Sequence, residues 1–289
     1  MALAHSYTDR VSVFSLAGGL ASSAMPVCVI EGPESELDYP HDVDFSRDGR
    51  FLAVANRTEP ALTIYRRKRG GVGQFAQSPW STVRGADSEL EHTDGVWFVP
   101  PRGRYLAAVN ASRSSITFYK SRRGGRKRFD QAPAFVLEGP ATELDYPDGM
   151  AFSSDGALLA VANHTSGSAT VYQRGRGRQL YDDKPVAILS ATPPMRYPHS
   201  VAFSPDGRYL AASSAGGRQV SMFHRSSESL SWVHEPALDL EVYDQKTFDE
   251  RNRLNPQEGG PKGLAFGAGC FAVCSEKLGL HVYRSAQAH

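Results

Sequence analysis

The chain has 289 residues, of which 40% are hydrophobic and 22% are charged, and its formal net charge is +1. This composition is typical of a folded globular protein and excludes a disordered tail. No stretch approaches the roughly 18 consecutive apolar residues of a transmembrane helix. The N-terminus also lacks the charged start and long apolar core of a signal peptide.

The three cysteines, Cys28, Cys270 and Cys274, are too few and too odd in number for a disulfide framework. Cys270 and Cys274 have no third and fourth thiol nearby, so a zinc site is not expected there. We expect all three to be small apolar residues in strands, in a reducing, cytoplasmic setting. The small net charge argues against wholesale nucleic-acid binding.

The predicted elements are all strands. By alignment with the later repeats, the chain opens on the second strand of a sheet, followed by a third over residues 11–16 and a fourth over 26–31. Residues 43–45 then alternate apolar and polar side chains, which predicts a short strand. A turn at 46–49 leads into a strand at 51–55 that is apolar on both faces.

A third strand at 62–65 and a weaker fourth strand around 78–83 complete this unit, which begins at Tyr39 with YPHDVDFSRDGRFLAVAN. Further copies begin at His92, Tyr146 and Tyr197, and a degenerate copy begins at Gly260. An insertion of about ten residues falls within 240–259, between the last two copies. The anchoring aromatic residues of the five copies are Phe45, Phe98, Phe152, Phe203 and Phe266.

Four strands in each unit of about 50 residues predict an all-β fold, a β-propeller with five to six blades of four antiparallel strands. The last strands predicted, over 264–283, are a first, a second and a third strand. Either six blades have incomplete end blades, or five blades are closed by the N-terminal fourth strand. Six is slightly favoured, since it leaves no apolar strand unpaired. We predict one domain over 1–289, with repeats near 1–38, 39–91, 92–145, 146–196, 197–259 and 260–289.

The segments FSRDGRFLAVAN, FSSDGALLAVAN and FSPDGRYLAASS resemble the FSPDGxxLxVxN core of YVTN-type propellers, including the lactonase-like ones, and the wider WD-repeat-like superfamily. The Gly-His and Trp-Asp signatures of WD repeats are missing, so the YVTN-type resemblance is the closer one. It covers nearly the whole chain. It implies the fold and is compatible with several activities.

One residue of each repeat is predicted at the mouth of the central channel. Two imidazoles and two carboxylates there would suit a divalent metal, or would serve as catalytic acid and base. The alternative is that these residues only cap turns and pair with one another, and a lysine in the same ring would repel a metal ion. The residues are His41, Asp94, Asp148, His199 and Lys262.

A second column lies where the second strand of each repeat ends. Its amide and hydroxyl groups are candidates for ligand binding, or alternatively for capping turns through their own backbone. The column consists of Asn56, Asn110, Asn163, Ser214 and Ser275, with His5 at the aligned N-terminal position.

The links between strands segregate charge. Acidic links precede the first strands and basic links follow the third strands, which predicts an acidic top face and a basic underside that could attract an anionic partner. The alternative is simple solvation of exposed turns. We see no stacking aromatic residues among the arginines, so nucleic acid is not an expected partner, and neither is a membrane. The acidic residues are Glu34, Glu36, Asp38, Asp87, Glu89, Glu91, Glu143 and Asp145, and the basic ones are Arg66, Arg67, Lys68, Arg69, Arg122, Arg123, Arg126, Lys127, Arg128, Arg174, Arg176 and Arg178.

Two functions follow as hypotheses. An interaction scaffold or ligand-binding protein, using the top face and the channel mouth, predicts a mouth closed by side-chain pairs. A lactonase-like hydrolase acting on a small carbonyl substrate predicts an open polar funnel. There a histidine would activate water, and Asn110 or Asn163 would stabilise the developing charge. Phosphate-binding, zinc-protease and serine-hydrolase motifs are absent from the sequence.

Overall fold

A computed structural model describes residues 1–15, 25–122, 128–177, 179–226, 231–250, 257, 259–267, 269–275 and 279–284. These residues form two compact units, Met1–Leu137 and Glu138–His289. Among the sequence predictions, the basic residues Arg123, Arg126, Lys127 and Arg178 lie outside the described residues, as does the end of the strand predicted over 11–16.

The first unit contains three antiparallel sheets, each with its strands paired in chain order. The first sheet comprises β1 (Ala2–His5), β2 (Arg10–Val13) and β3 (Cys28–Ile30). The second comprises β4 (Pro40–Phe45), β5 (Phe51–Asn56), β6 (Ala61–Arg66) and β7 (Ser81–Arg84). The third comprises β8 (Thr93–Phe98), β9 (Tyr105–Asn110), β10 (Ser115–Lys120) and β11 (Phe135–Leu137).

The second unit repeats this arrangement with three more antiparallel sheets. Its first sheet comprises β12 (Pro147–Phe152), β13 (Leu158–Asn163), β14 (Ser168–Gln173) and β15 (Ala187–Leu189). The next comprises β16 (Pro198–Phe203), β17 (Tyr209–Ser214), β18 (Gln219–His224) and β19 (Leu238–Glu241). After the helix α1 (Gln245–Asp249), the last comprises β20 (Pro261–Gly267), β21 (Cys270–Ser275) and β22 (Gly279–Arg284).

The six-blade prediction is confirmed. The N-terminal strands form a sheet of their own, in which Val11 of β2 pairs with Ile30 of β3. They therefore do not complete the last sheet, and the five-blade alternative is wrong. Within the described residues the first and sixth sheets have three strands each, as expected for incomplete end blades.

Turn chemistry explains why three of the inner hairpins form. Gly49 has a φ of 61°, a left-handed conformation that favours glycine. The hydroxyl of Ser46 donates to a carboxylate oxygen of Asp48 at 2.7 Å, and the Ser46 oxygen accepts from the backbone N–H of Phe51 at 3.0 Å. The same Ser-x-Asp-Gly turn recurs after β12 and β16, so these hairpins are specified locally by the sequence.

Strand β5 shows how the core is built. Leu52 and Val54 belong to a buried cluster with Val11 and Ile30 of the first sheet. Ala53 and Ala55 belong to another cluster that includes residues of the third sheet. Because side chains alternate across a strand, both faces of this sheet are covered by neighbours. This confirms the expectation of a fully buried second strand.

Four of the five anchoring phenylalanines share one role within their repeats. Each of the four packs against an aromatic residue in the hairpin that joins the third and fourth strands, with ring centroids 5.6–6.2 Å apart. The fifth, Phe266, packs instead against Phe271 of the neighbouring strand, with ring centroids 4.6 Å apart. These contacts fix the outer hairpin against the inner strand. The pairs are Phe45–Phe75, Phe98–Phe129, Phe152–Tyr181 and Phe203–Trp232.

Helix α1 lies in the inserted segment and was not predicted. Asp244 caps it, since its carboxylate accepts from the backbone N–H of Thr247 at 2.7 Å. Phe248 is buried next to Tyr243, with ring centroids 6.3 Å apart. A helix of five residues is too short to show a helical hydrophobic period, which is why the sequence pattern missed it.

Candidate functional site

A residue in an unusual backbone conformation precedes four of the inner strands. A positive φ is uncommon for residues other than glycine, and such strain is found most often at functional sites. Each of these carbonyl groups accepts a backbone hydrogen bond from the residue that follows the second strand of the same sheet. The four residues are Tyr39, His92, Tyr146 and Tyr197, with φ of 51°, 43°, 49° and 53°.

The predicted channel-mouth residues lie two positions after these strained residues. In the first unit, Asp94 is fully buried, and the Nε of Arg57 lies 3.2 Å from its Oδ1. The Nδ1 of His41 lies 3.8 Å from the same Oδ1 and 2.9 Å from the backbone oxygen of Asp94. A buried carboxylate is thus neutralised by a guanidinium and bordered by an imidazole.

The tautomer of His41 follows from this geometry. A carbonyl oxygen can only accept, so the Nδ1 of His41 carries the proton that it donates to Asp94. In the neutral imidazole, Nε2 is therefore the nitrogen with a lone pair. That nitrogen can accept a hydrogen bond or a proton.

In the second unit, Asp148 lies between two imidazoles. The Nδ1 of His164 is 3.6 Å from its Oδ2, and the Nδ1 of His199 is 3.6 Å from its Oδ1. The ring of His164 also packs between Tyr146 and Tyr197, at centroid distances of 5.9 and 5.0 Å. Both histidines are held next to one carboxylate.

Close packing of β12 on β16 brings Asp148 and His199 together. A Cβ atom added at Gly149 would lie only 2.5 Å from the backbone oxygen of His199. Glycine is therefore required for this approach, which places the Asp148 carboxylate beside the neighbouring strand.

Of the predicted mouth residues, the structure brings His41 to Asp94 in the first unit and His199 to Asp148 in the second. Arg57 and His164 were missed. Both directly follow the predicted asparagine column, and both donate their backbone N–H to a strained tyrosine. Aligning the repeats one position beyond the asparagine column would have revealed Arg57 and His164, because two of the other repeats have alanine at that position, Ala111 and Ala215.

Lys262 lies on β20, in the last sheet. Its backbone oxygen accepts from the hydroxyl of Ser213 at 2.7 Å. Burial raises the pKa of the neighbouring Cys274 thiol, and the ammonium group of Lys262 partly opposes that rise. The role of Lys262 in ligand binding stays a prediction.

The asparagine column is fully buried and engaged by the protein. The Oδ1 of Asn56 accepts from the backbone N–H of Asp38 at 3.0 Å, and its Nδ2 donates to the hydroxyl of Thr63 at 3.1 Å. Asn110 and Asn163 make the equivalent bonds in their own sheets. Each asparagine therefore ties the acidic link to the third strand of its sheet.

Smaller residues continue this column in the last two sheets. Ser214 and Ser275 are buried, and within the described residues their hydroxyl oxygens have no hydrogen-bond partner. At the N-terminal position, the Nε2 of His5 lies 3.0 Å from the hydroxyl oxygen of Ser12. Burial, followed by the charge of Arg10, lowers the pKa of His5. Ligand binding by Ser214 stays a prediction.

In the first unit, two glutamates of the acidic links form ion pairs with arginine side chains. Glu36 forms an ion pair with Arg84, and Glu89 forms one with Arg113 at 2.9 Å. The negative charge expected at this end of the sheets is therefore partly neutralised.

The expectation that no aromatic residue lies among the arginines was wrong. Trp80 contacts two guanidinium groups, with the central carbon of Arg66 5.2 Å and that of Arg128 4.4 Å from the ring centroid. These residues come from two hairpins that are distant in sequence, so only the fold reveals the cluster.

Comparison with known proteins agrees with this architecture. The family model of the WD domain, G-beta repeat, matches residues 188–222, which run from the fourth strand of one sheet through most of the next. The chain is a six-bladed β-propeller. A search of curated proteins gave no significant match.

Several solved propellers share the fold. The periplasmic gluconolactonase of Pseudomonas aeruginosa is 19% identical with a TM-score of 0.63, over 96% of this chain and 75% of that one. A putative 6-phosphogluconolactonase of Bacteroides uniformis is 16% identical with a TM-score of 0.63, over 96% and 88%. The Cps50 (Swd1) propeller domain of Myceliophteria thermophila is 13% identical with a TM-score of 0.58, over 99% and 96%.

This propeller thus resembles both lactonase-like and WD-repeat-like structures, as its repeats predicted. At these identities the likeness concerns the fold alone. In the part of the chain that the structure describes, no helix is long and apolar enough to cross a membrane.

Proposed function

We propose that this propeller is an interaction scaffold that binds a protein partner at the sheet ends carrying the strained aromatic residues. One observation carries the proposal: the carboxylates of Asp94 and Asp148 are enclosed in side-chain pairs. Their side chains are 0% and 7% exposed, and those of His41 and His199 are 10% and 16% exposed.

This burial favours a structural role for the carboxylates. A hydrolase needs its base and its charge-stabilising groups open to substrate and water. Asp94 instead lies beside Arg57 and His41, which together cover its carboxylate. Asp148 lies beside His164 and His199, which cover its carboxylate in the same way. A mouth closed by side-chain pairs is what the scaffold hypothesis predicts.

Aromatic side chains around these pairs suit a protein interface. Tyr39, Tyr146 and Tyr197 are half-buried, and Tyr7 is exposed and packs edge-on against Tyr39 with a centroid distance of 5.6 Å. Rigid aromatic residues are enriched where proteins bind one another. The strained backbone holds three of these rings in fixed positions before a partner arrives.

The remaining predicted site residues are assigned supporting roles. Asn56, Asn110 and Asn163 position the links that carry the strained residues, while Ser214 and Lys262 belong to the surroundings of the binding surface in the second unit. We place the protein in the cytoplasm, which its three free cysteines support.

A lactonase-like hydrolase is the second candidate, and the paired histidines of Asp148 favour it. A carboxylate that orients an imidazole is a common arrangement for general-base catalysis. In this version His199 would take a proton from water as the water oxygen bonds to the carbonyl carbon of a sugar lactone. The ring C–O bond would then break, and the proton would pass from His199 to the leaving alkoxide, giving the open hydroxy acid. In the first unit, the lone pair on the Nε2 of His41 could do the same.

A divalent metal belongs to this second candidate. Asp94 fits a metal poorly, because the guanidinium of Arg57 already lies 3.2 Å from its Oδ1 and would repel a second cation. Asp148 and His199 offer oxygen and nitrogen donors of the kind that zinc prefers. A bound metal would supply Lewis-acid activation of water or carbonyl there.

Thermal unfolding of Asp94→Asn and Asp148→Asn tests the scaffold proposal. Removing one partner of a buried pair leaves the other uncompensated, so each variant should lose about 1–3 kcal/mol of stability and melt at a lower temperature. Residues kept for catalysis commonly cost stability, and their replacement is neutral or stabilising. Unchanged or raised melting temperatures for both variants would therefore contradict the proposal. Exposed Asp183→Asn is the control.

A further inference from the structure

A second candidate surface lies on the second sheet, at the end opposite the strained residues. Along β5, Asn56 pairs with Ala61 at one end and Phe51 pairs with Arg66 at the other. A groove of about 410 Å³ opens at the Arg66 end, within the size range of ligand pockets. It is lined by the basic run 66–69, by Ala76 and Pro79, and by Trp80. We call it the Trp80 groove.

The indole of Trp80 contacts two guanidinium groups, one from the groove lining and one from the neighbouring sheet. The guanidinium carbons of Arg66 and Arg128 lie 5.2 and 4.4 Å from its ring centroid. A guanidinium that packs on an aromatic ring loses mobility but keeps its N–H edge available. Such an edge can donate two parallel hydrogen bonds to one carboxylate.

The positive charge of the groove is not compensated nearby. Within the described residues, Arg66, Arg67, Lys68 and Arg69 take part in no ion pair with an acidic side chain. In the neighbouring hairpins, Asp130 lies 3.1 Å from Arg122 and Asp48 lies 3.8 Å from Arg50, so these two carboxylates pair with other cations. A local excess of cations attracts an anionic partner and raises its association rate.

We propose that the Trp80 groove binds an acidic segment of a partner protein through clustered carboxylates. Nucleic acid is the less favoured occupant, because bases need an aromatic face for stacking and the guanidiniums of Arg66 and Arg128 already contact this ring. The apolar parts of Ala76 and Pro79 also suit a peptide backbone more than a phosphate chain. This surface is separate from the one in the proposed function and does not depend on it.

Recognition here rests on side-chain charge and not on strand addition. Strand β7 is the outer strand of its sheet, but Gln131 already bonds its backbone, donating to Thr82 O at 2.9 Å and accepting from Arg84 N–H at 3.1 Å. An incoming segment therefore finds this edge occupied.

Fluorescence anisotropy of the full chain with a short labelled Glu-rich peptide tests the proposal. We expect binding that weakens with added salt, and no comparable binding of the same peptide with Gln in place of Glu. Arg67→Gln/Arg69→Gln should weaken binding about tenfold. Lys184→Gln/Arg208→Gln removes the same charge from exposed positions of the second unit and should leave binding unchanged.

A second pair of variants separates the groove from general surface charge. Trp80→Ala keeps every cation but removes the platform and should weaken binding, while Trp80→Phe should retain most of it. Melting curves check that each variant is folded. Equal binding of the Glu and Gln peptides, or equal loss in the groove and control double variants, would overturn the proposal. Tighter binding of a single-stranded oligonucleotide than of the Glu peptide would assign the groove to nucleic acid instead.

Discussion

Two aspartates on the inner strand β4 connect the second sheet to the third, because their carboxylates accept hydrogen bonds from backbone N–H groups of β8. A carboxylate oxygen of Asp42 accepts from the backbone N–H of Val96 at 3.0 Å, and one of Asp44 accepts from that of Phe98 at 2.8 Å. Burial raises the pKa of Asp44 well above its ordinary value, and the backbone N–H groups of Phe98 and Phe45 only partly oppose the rise. A single residue can thus make the stability of the protein depend on pH.

The sign of this dependence follows from the raised pKa. The folded protein holds the Asp44 proton more tightly than the unfolded chain does. The stabilisation that the protonated carboxyl of Asp44 contributes is therefore fully present below about pH 4, and it is lost as the pH rises through the folded-state pKa. Asp44→Asn removes the charge but keeps an oxygen acceptor for Phe98. We expect the decline in the free energy of unfolding above about pH 4 to become shallower, as measured by urea denaturation at several pH values.

Asp206→Asn is the matched control for this measurement. The hydroxyl of Ser204 and the backbone N–H of Arg208 lower the pKa of Asp206, so its contribution is present above the unfolded-state pKa and is lost as pH falls. The two substitutions should therefore change the pH profile in opposite senses. The same change in both variants would contradict the assignment to Asp44.

Residue-level patterns also show what the sequence could and could not predict. The position of the asparagine column was predictable because its members occupy one repeat position, at the end of the second strand, while its role in ligand binding stays a prediction. The Arg57–Asp94 pair was not, because its partners belong to different sheets and different repeat positions. The contact between Arg128 and Trp80 was not predictable either, because these two residues also belong to different sheets.

At the level of the elements, glutamine side chains cap the outer strands. Gln77 donates to Val29 O at 2.7 Å and accepts from Glu31 N–H at 3.2 Å, so it covers the free edge of β3. Gln131 does the same for β7, and His234 donates to Ile188 O on β15 at 2.9 Å. An exposed strand edge invites association with other chains, and a side-chain amide satisfies it as a further peptide group would.

Gln131→Ala should therefore loosen β7. We expect faster amide hydrogen exchange at Arg84 and a loss of about 1 kcal/mol in stability, because a backbone N–H and a carbonyl each lose a partner. Exchange measured by NMR or mass spectrometry reports this directly. Gln74→Ala changes an exposed glutamine and should leave exchange at β7 unchanged. Equal exchange in both variants would show that the cap does not protect the strand.

The strands themselves were predicted well, since alternation, buried apolar runs and Ser-x-Asp-Gly turns are local signals. Helix α1 and the edge caps were not predicted. A five-residue helix has no detectable period, and the caps connect side chains to strands of the preceding repeat.

At the scale of the whole molecule, the arrangement of strands in the six sheets determines which side chains from different repeats come into contact. In each unit, adjacent inner strands place a carboxylate from one repeat beside a basic side chain from another. The repeats predicted the fold because the copies share the same pattern of strands, and three of them share the Ser-x-Asp-Gly turn. They could not predict the activity, because the fold serves hydrolases and binding proteins alike.

The most direct test of the scaffold account is the rate of sugar-lactone hydrolysis by the purified wild-type chain at neutral pH, compared with buffer and with His199→Ala. Because Asp148 and His199 are enclosed in their pair, the account predicts a rate equal to the spontaneous rate in all three, with and without added zinc. Hydrolysis by the wild-type chain that is lost in His199→Ala, with melting temperature retained, would contradict the account and assign the protein to the hydrolases.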